Sequence, residues 1–143
     1  MVGLVFLSLL FVAQWIMMGF KEAILYSRYG AEATRYNEHV LFTFERACIC
    51  FIAFVSVFVD LKIMACVLIA QPFVFSFIHN TAYNYGRHYI RRANNYPSTF
   101  SWSYVSPTST AVIQFSFAQR IILAIIGVLL STVIYHLLNV SPT

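Results

Sequence analysis

The chain has 143 residues, 60% of them apolar and only 10% charged. A water-soluble domain carries about 25% charged residues to hydrate its surface, so this composition excludes an ordinary soluble fold and calls for lipid as the solvent. The formal charge of +4 comes from basic residues that flank apolar runs without any nucleic-acid motif, which indicates membrane orientation and not nucleic-acid binding.

A spanning helix needs about 20 mostly apolar residues to cross about 30 Å of hydrocarbon. The first segment, 2–26, meets this with Ser8 and Gln14 as its polar interruptions inside the apolar run, and Lys21 and Glu22 mark an interface. It has neither the basic start nor the small-x-small cleavage site of a secretory signal, so it reads as a retained helix. Gly30 suits its end. The polar stretch Ser27 to His39 is a loop, with Asn37 and Glu38 placed to cap the next helix.

From Val40 to Phe77 the only charges are Glu45, Arg46, Asp60 and Lys62. One helix of that length would overshoot the bilayer by nearly a factor of two. Asp60-Leu61-Lys62 is therefore a tight turn between a second helix, 40–59, and a third, 63–92. Pro72 lies inside the third helix, where it removes a backbone donor and is expected to kink it. The polar residues His79, Asn80, Asn84, Arg87, His88, Arg91 and Arg92 then carry that helix past the membrane.

Residues 93–116 read as a loop on the interface, with Phe100, Trp102 and Tyr104 alternating with serines so that the rings of an extended chain turn toward lipid. A fourth helix spans 117–138, with Arg120 one turn inside its start. Asn139-Val140-Ser141 matches a glycosylation acceptor but abuts the membrane and precedes Pro142, so it is read as unused. The fold expected is an all-α membrane protein over 1–143, with four transmembrane helices in an up-down bundle.

Such a bundle puts Lys21, Arg28, Arg35, Arg46, Arg87, Arg91, Arg92 and Arg120 on one side, eight of the nine basic residues, and Lys62 alone on the other. By the positive-inside rule the rich side is cytoplasmic and both termini face away from the cytoplasm. The expected location is a cell membrane, crossed several times.

Ionisable groups near the hydrocarbon are functional candidates because an unpaired charge there costs several kcal/mol. Glu22, Glu45, Arg46, His79, Asn80, Tyr83, Arg87 and Arg120 all fall at the cytoplasmic helix ends and form the candidate polar cluster, with Glu45 neutralised by Arg120, Arg87 or Arg46. The competing structural reading is that each long side chain reaches to the headgroups and the pairs hold the bundle together. Arg87, Arg91, Arg92 and Trp102 are candidates for lipid headgroup contact.

No cofactor or metal is expected. His79 and His88 are nine apart, on opposite helix faces, and Glu38 and Glu45 lie about 10 Å apart along the axis; bundle metal sites use closer His and Glu spacings. Cys48 and Cys50 point about 200° apart on a helix, and with Cys66 they read as small residues in apolar surroundings. The serines of the loop lack a nucleophile turn, and no glycine-rich phosphate loop occurs. The paired Cys-x-x-Cys of the disulfide-forming quinone reductases is missing, as is the Arg/Asn/Glu pattern of the glutathione-dependent membrane enzymes. The uncharged tail Asn139 to Thr143 departs from the basic tail of holin-like phage proteins. The expectation is a non-enzymatic interaction or accessory protein whose partners are the lipid bilayer and other membrane proteins or copies of itself. The alternative is a small transporter or lipid-modifying enzyme working from the polar cluster.

Overall fold

The computed structural model describes residues 2–25, 38–93, 100–102 and 114–139. Gly30, Asn37, Tyr104, most of the interfacial loop 93–116 and the Val140-Ser141 part of the glycosylation motif lie outside the described residues.

The described chain is helical, in four segments: α1 (Val2–Leu25), α2 (Glu38–Ser56), α3 (Leu61–Ala93) and α4 (Phe117–Asn139). Each apolar run becomes a helix because hydrocarbon offers no partner for backbone N–H and C=O groups, so they bond within their own segment. α1, the Leu61–Arg92 part of α3 and the Phe117–Leu138 part of α4 are long and apolar enough to cross a membrane. α2 is shorter, 19 residues, with Glu45 and Arg46 in its interior, and is not a clear span.

Local chemistry sets the boundaries. α2 closes in a tightened turn, where Val57 N–H donates to Phe54 O at 3.2 Å and Phe58 N–H to Val55 O at 2.9 Å. Asp60 then caps α3: its carboxylate accepts from Lys62 N–H at 2.7 Å and its carbonyl from Met64 N–H at 3.0 Å. The cap starts α3 two residues before the position expected from hydropathy. α3 runs on through Pro72 for 33 residues, about 50 Å at the α-helical rise and well beyond the hydrocarbon thickness. α4 opens with a reciprocal capping box: Ser116 N–H donates to Gln119 Oε1 at 2.8 Å and Gln119 N–H to Ser116 Oγ at 3.3 Å.

The principal contacts run α2 to α1, α1 to α3 and α3 to α4. α1 and α3 meet through small residues. A Cβ on Gly19 would lie 2.5 Å from His79 O and 2.9 Å from both Ala82 Cβ and Tyr83 N. One turn on, Ala23 faces Gly86, where an added Cβ would meet Ala23 Cβ at 3.2 Å. Gly19-x-x-x-Ala23 and Ala82-x-x-x-Gly86 are thus complementary small-xxx-small faces, which let two backbones approach closely where lipid supplies no hydrophobic drive for association. α3 and α4 close in the same way at Gly127, whose added Cβ would meet Phe73 Cβ at 2.6 Å, and Ser131 Oγ donates to Cys66 O at 3.0 Å across that interface.

Apolar side chains otherwise face outward. Buried apolar residues are few, with Ala23, Ile24 and Ile90 forming a core that Leu41 and Tyr83 cover. Leu9, Phe44, Phe51, Phe54, Ile125, Leu129 and Val133 are exposed. A soluble protein inverts this distribution; a chain solvated by lipid has no reason to.

Candidate functional site: the polar helix ends

Two polar pairs join α1 to its neighbours, one to α2 and one to α3. Lys21 on α1 donates its ammonium to Glu45 Oε2 on α2, and both side chains are largely buried. Lys21 Nζ also sits 4.9 Å from the centroid of the Phe42 ring, one turn before Glu45. Glu45 is thus paired with Lys21, a residue outside the expected partners Arg120, Arg87 and Arg46. Arg46, adjacent in sequence, is exposed and stands apart from this pair.

His79 on α3 places Nε2 3.2 Å from Glu22 Oε2 on α1, without the alignment of a hydrogen bond. Its ring stacks on Phe75 at 4.9 Å, and Phe75 meets Trp15 edge-on at 5.8 Å. The consecutive residues Lys21 and Glu22 therefore bring α1 against its two neighbours through polar side chains: Lys21 to α2, Glu22 to α3.

The other members of the expected cluster are placed as follows. Asn80 turns back along its own helix, donating Nδ2–H to Ser76 O at 2.8 Å. Tyr83 packs on the apolar core beside Ile24 and Ile90. Arg87 is buried, Arg91 half-buried and Arg92 exposed. Of the four headgroup candidates, Arg92 and Trp102 are thus the exposed ones, Trp102 at 46%.

The α3/α4 junction holds a second polar group. Asn84, 3% exposed, donates Nδ2–H to Trp102 O at 2.9 Å, and its buried Oδ1 has no partner among the described residues. Trp102 stacks on Phe117 with centroids 5.3 Å apart, and Phe117 lies 5.9 Å from Phe77. Arg120, one turn after Phe117, is 7% exposed, and its Nε has no hydrogen-bond partner among the described residues. Seven residues separate Arg120 from Gly127 and four more lead to Ser131, so all three share the face of α4 that meets α3.

Lys21 and Asn84 are thus important residues outside the expected cluster. Lys21 was legible as an interface marker, but its pairing with Glu45 depends on the packing of two helices 24 residues apart. The signal for Asn84 was its seven-residue spacing from Phe77, on the stripe that meets α4.

A concavity lies away from these pairs. A groove of about 380 Å³ opens between α1, α3 and α4, lined by residues that include Leu9, Val12, Trp15, Val67, Gln71 and Val128. Its walls are mainly apolar, with the buried Gln71 Nε2 left without a hydrogen-bond partner among the described residues. Among the described residues no three His, Cys, Asp or Glu side chains converge as metal ligands, and Cys48, Cys50 and Cys66 are free thiols. Comparison with protein families, with curated proteins and with solved structures gives no match.

Proposed function

We propose that this chain is a four-span membrane protein that acts by contact, with lipid and with other membrane proteins or copies of itself, and not by catalysis. The observation that carries the reading is the pairing of the ionisable groups. Lys21 with Glu45 and Glu22 with His79 connect helices to one another, while the groove between α1, α3 and α4 is mainly apolar and lined by other residues. A catalytic centre needs its titratable groups directed at a substrate cavity. Here they serve as interhelical ties.

In this reading α2 is the fourth crossing. Its 19 residues span about 28 Å, its Phe44, Phe51 and Phe54 are exposed, and it rests chiefly on α1. That leaves most of its surface for lipid or a partner. The helices alternate in direction: Gly3 lies beside Val59 in the α2–α3 turn, and Lys62 Nζ donates to Leu138 O. Pro72 bends α3 where Gly127 of α4 closes on Ala70 and Phe73. The eight basic residues then face the cytoplasm, both termini face away from it, and Arg92 with Trp102 lies in the headgroup layer beside Arg87 and Arg91.

Topology reporters fused between α1 and α2 and at the α2–α3 turn test the crossing count. They are expected on opposite sides, the first cytoplasmic and the turn non-cytoplasmic; both on the same side removes α2 from the membrane. Purification in mild detergent tests the mode of action, and a strict monomer without bound lipid or partner counts against it. The alternative of a small transporter or lipid-modifying enzyme predicts that Glu45→Gln and His79→Ala abolish a phenotype while membrane abundance stays normal. Loss of abundance in both variants marks the pairs as structural.

A further inference from the structure

Arg120 is the most conspicuous unused charge. It is nine-tenths buried, lies on the α4 face that meets α3, and is unpaired at Nε among the described residues. Glu22, Glu45 and Asp60 are engaged elsewhere: Glu22 approaches His79, Glu45 holds Lys21, and Asp60 caps α3 at the opposite end. The chain as a whole cannot make up the difference. On the four-span reading its basic face carries eight cations against the four carboxylates Glu22, Glu32, Glu38 and Glu45, an excess of four. However those groups pair, counter-charge must come from outside the chain.

We infer that Arg120 and Asn84 form a binding site for the headgroup of a membrane phospholipid, with the phosphate on Arg120 and a headgroup hydrogen-bond donor on Asn84 Oδ1. A buried guanidinium without a counter-ion is costly, and its planar fork matches two phosphate oxygens. Asn84 supplies the complementary unpaired acceptor on α3, with its amide held by Trp102 O. The Trp102–Phe117–Phe77 aromatic run lies at the same junction, and apolar surroundings strengthen a charge-assisted bond. Phosphate joined to an ammonium or hydroxyl donor describes ethanolamine and glycerol headgroups. Choline, which has no donor, leaves Asn84 Oδ1 unsatisfied. The inference rests on the four-span reading, which puts this junction at the headgroup level.

The test is native mass spectrometry of the full chain released from detergent containing equal amounts of phosphatidylethanolamine, phosphatidylglycerol and phosphatidylcholine. One ethanolamine or glycerol phospholipid per chain is expected, preferred over the choline lipid by about tenfold, the scale of one hydrogen bond involving a charged group. Arg120→Gln is expected to abolish that preference, and the Arg91→Gln/Arg92→Gln pair to keep it. Arg120→Lys covers the case in which the glutamine variant fails to fold: it retains the charge, loses the fork, and is expected to bind at least several-fold more weakly. Equal losses in Arg120→Gln and in the Arg91/Arg92 pair would reduce the site to a diffuse basic surface, overturning the inference while leaving the four-span reading intact. Undiminished binding in Arg120→Lys, or undiminished selection in Arg120→Gln, overturns it as well. Displacement of the lipid by millimolar inorganic phosphate would assign the site to a small anion and refute the lipid as its ligand.

Discussion

Gly19→Ala is the sharpest test of how these helices are held. The added methyl carbon would sit 2.5 Å from His79 O and 2.9 Å from Tyr83 N and Ala82 Cβ. Two of these three neighbours are backbone atoms of α3 and cannot rotate away, so α1 and α3 must separate. Overpacking of this kind costs about 1–3 kcal/mol, and rigid neighbours put it near the upper end. Replacing glycine by alanine in a helix returns about 1 kcal/mol of propensity, leaving a net loss of about 2 kcal/mol. Cys66, fully buried in α3, reports the loss directly: in a Cys48→Ala/Cys50→Ala background it is the only thiol, and its labelling rate in nanodiscs measures opening of the structure. Gly3→Ala is the internal control, since its Cβ would meet only Val59 Cγ2, at 3.8 Å. Gly19→Ala should label on the order of tenfold or more faster than its parent, and Gly3→Ala within about twofold. Equal labelling of the two variants would refute the close α1–α3 packing.

The Lys21–Glu45 tie predicts non-additive behaviour in the same assay. Glu45→Gln strands the Lys21 ammonium in a site where both side chains are largely buried, at a cost of about 2–3 kcal/mol, below the full value for a completely buried pair. The Lys21→Met/Glu45→Leu double variant should be less destabilised than Glu45→Gln alone; a simple sum of the single effects would show that the two residues do not interact. Ser131→Ala removes the interhelical bond to Cys66 O and should cost about 0.6 kcal/mol, the usual value for such bonds in lipid. Thr132→Val is its control, because Thr132 Oγ1 bonds Val128 O within α4 and its loss should leave α3–α4 packing unchanged; an equal effect of both would deny Ser131 its interhelical role.

What could be read from the sequence was what depends on neighbours along the chain. Helices stand where the apolar runs stand because lipid forces each segment to satisfy its own backbone. The α2–α3 turn falls at Asp60, whose short carboxylate competes for the next amides and caps the helix that follows. A cluster of polar residues at one set of helix ends was an expectation from hydropathy and spacing, and the pairs Lys21–Glu45 and Glu22–His79 are what the structure shows of it. The small-residue pairs Gly19/Ala23 and Ala82/Gly86 were visible as spacing, but spacing does not say which helix receives them. That depended on the tertiary structure, as did the pairing of Lys21 with Glu45 and the burial of Arg120 and Asn84 at the α3/α4 junction. Charge and size recur many times along one chain, and only the register of helices brought together from distant positions selects which two of them meet.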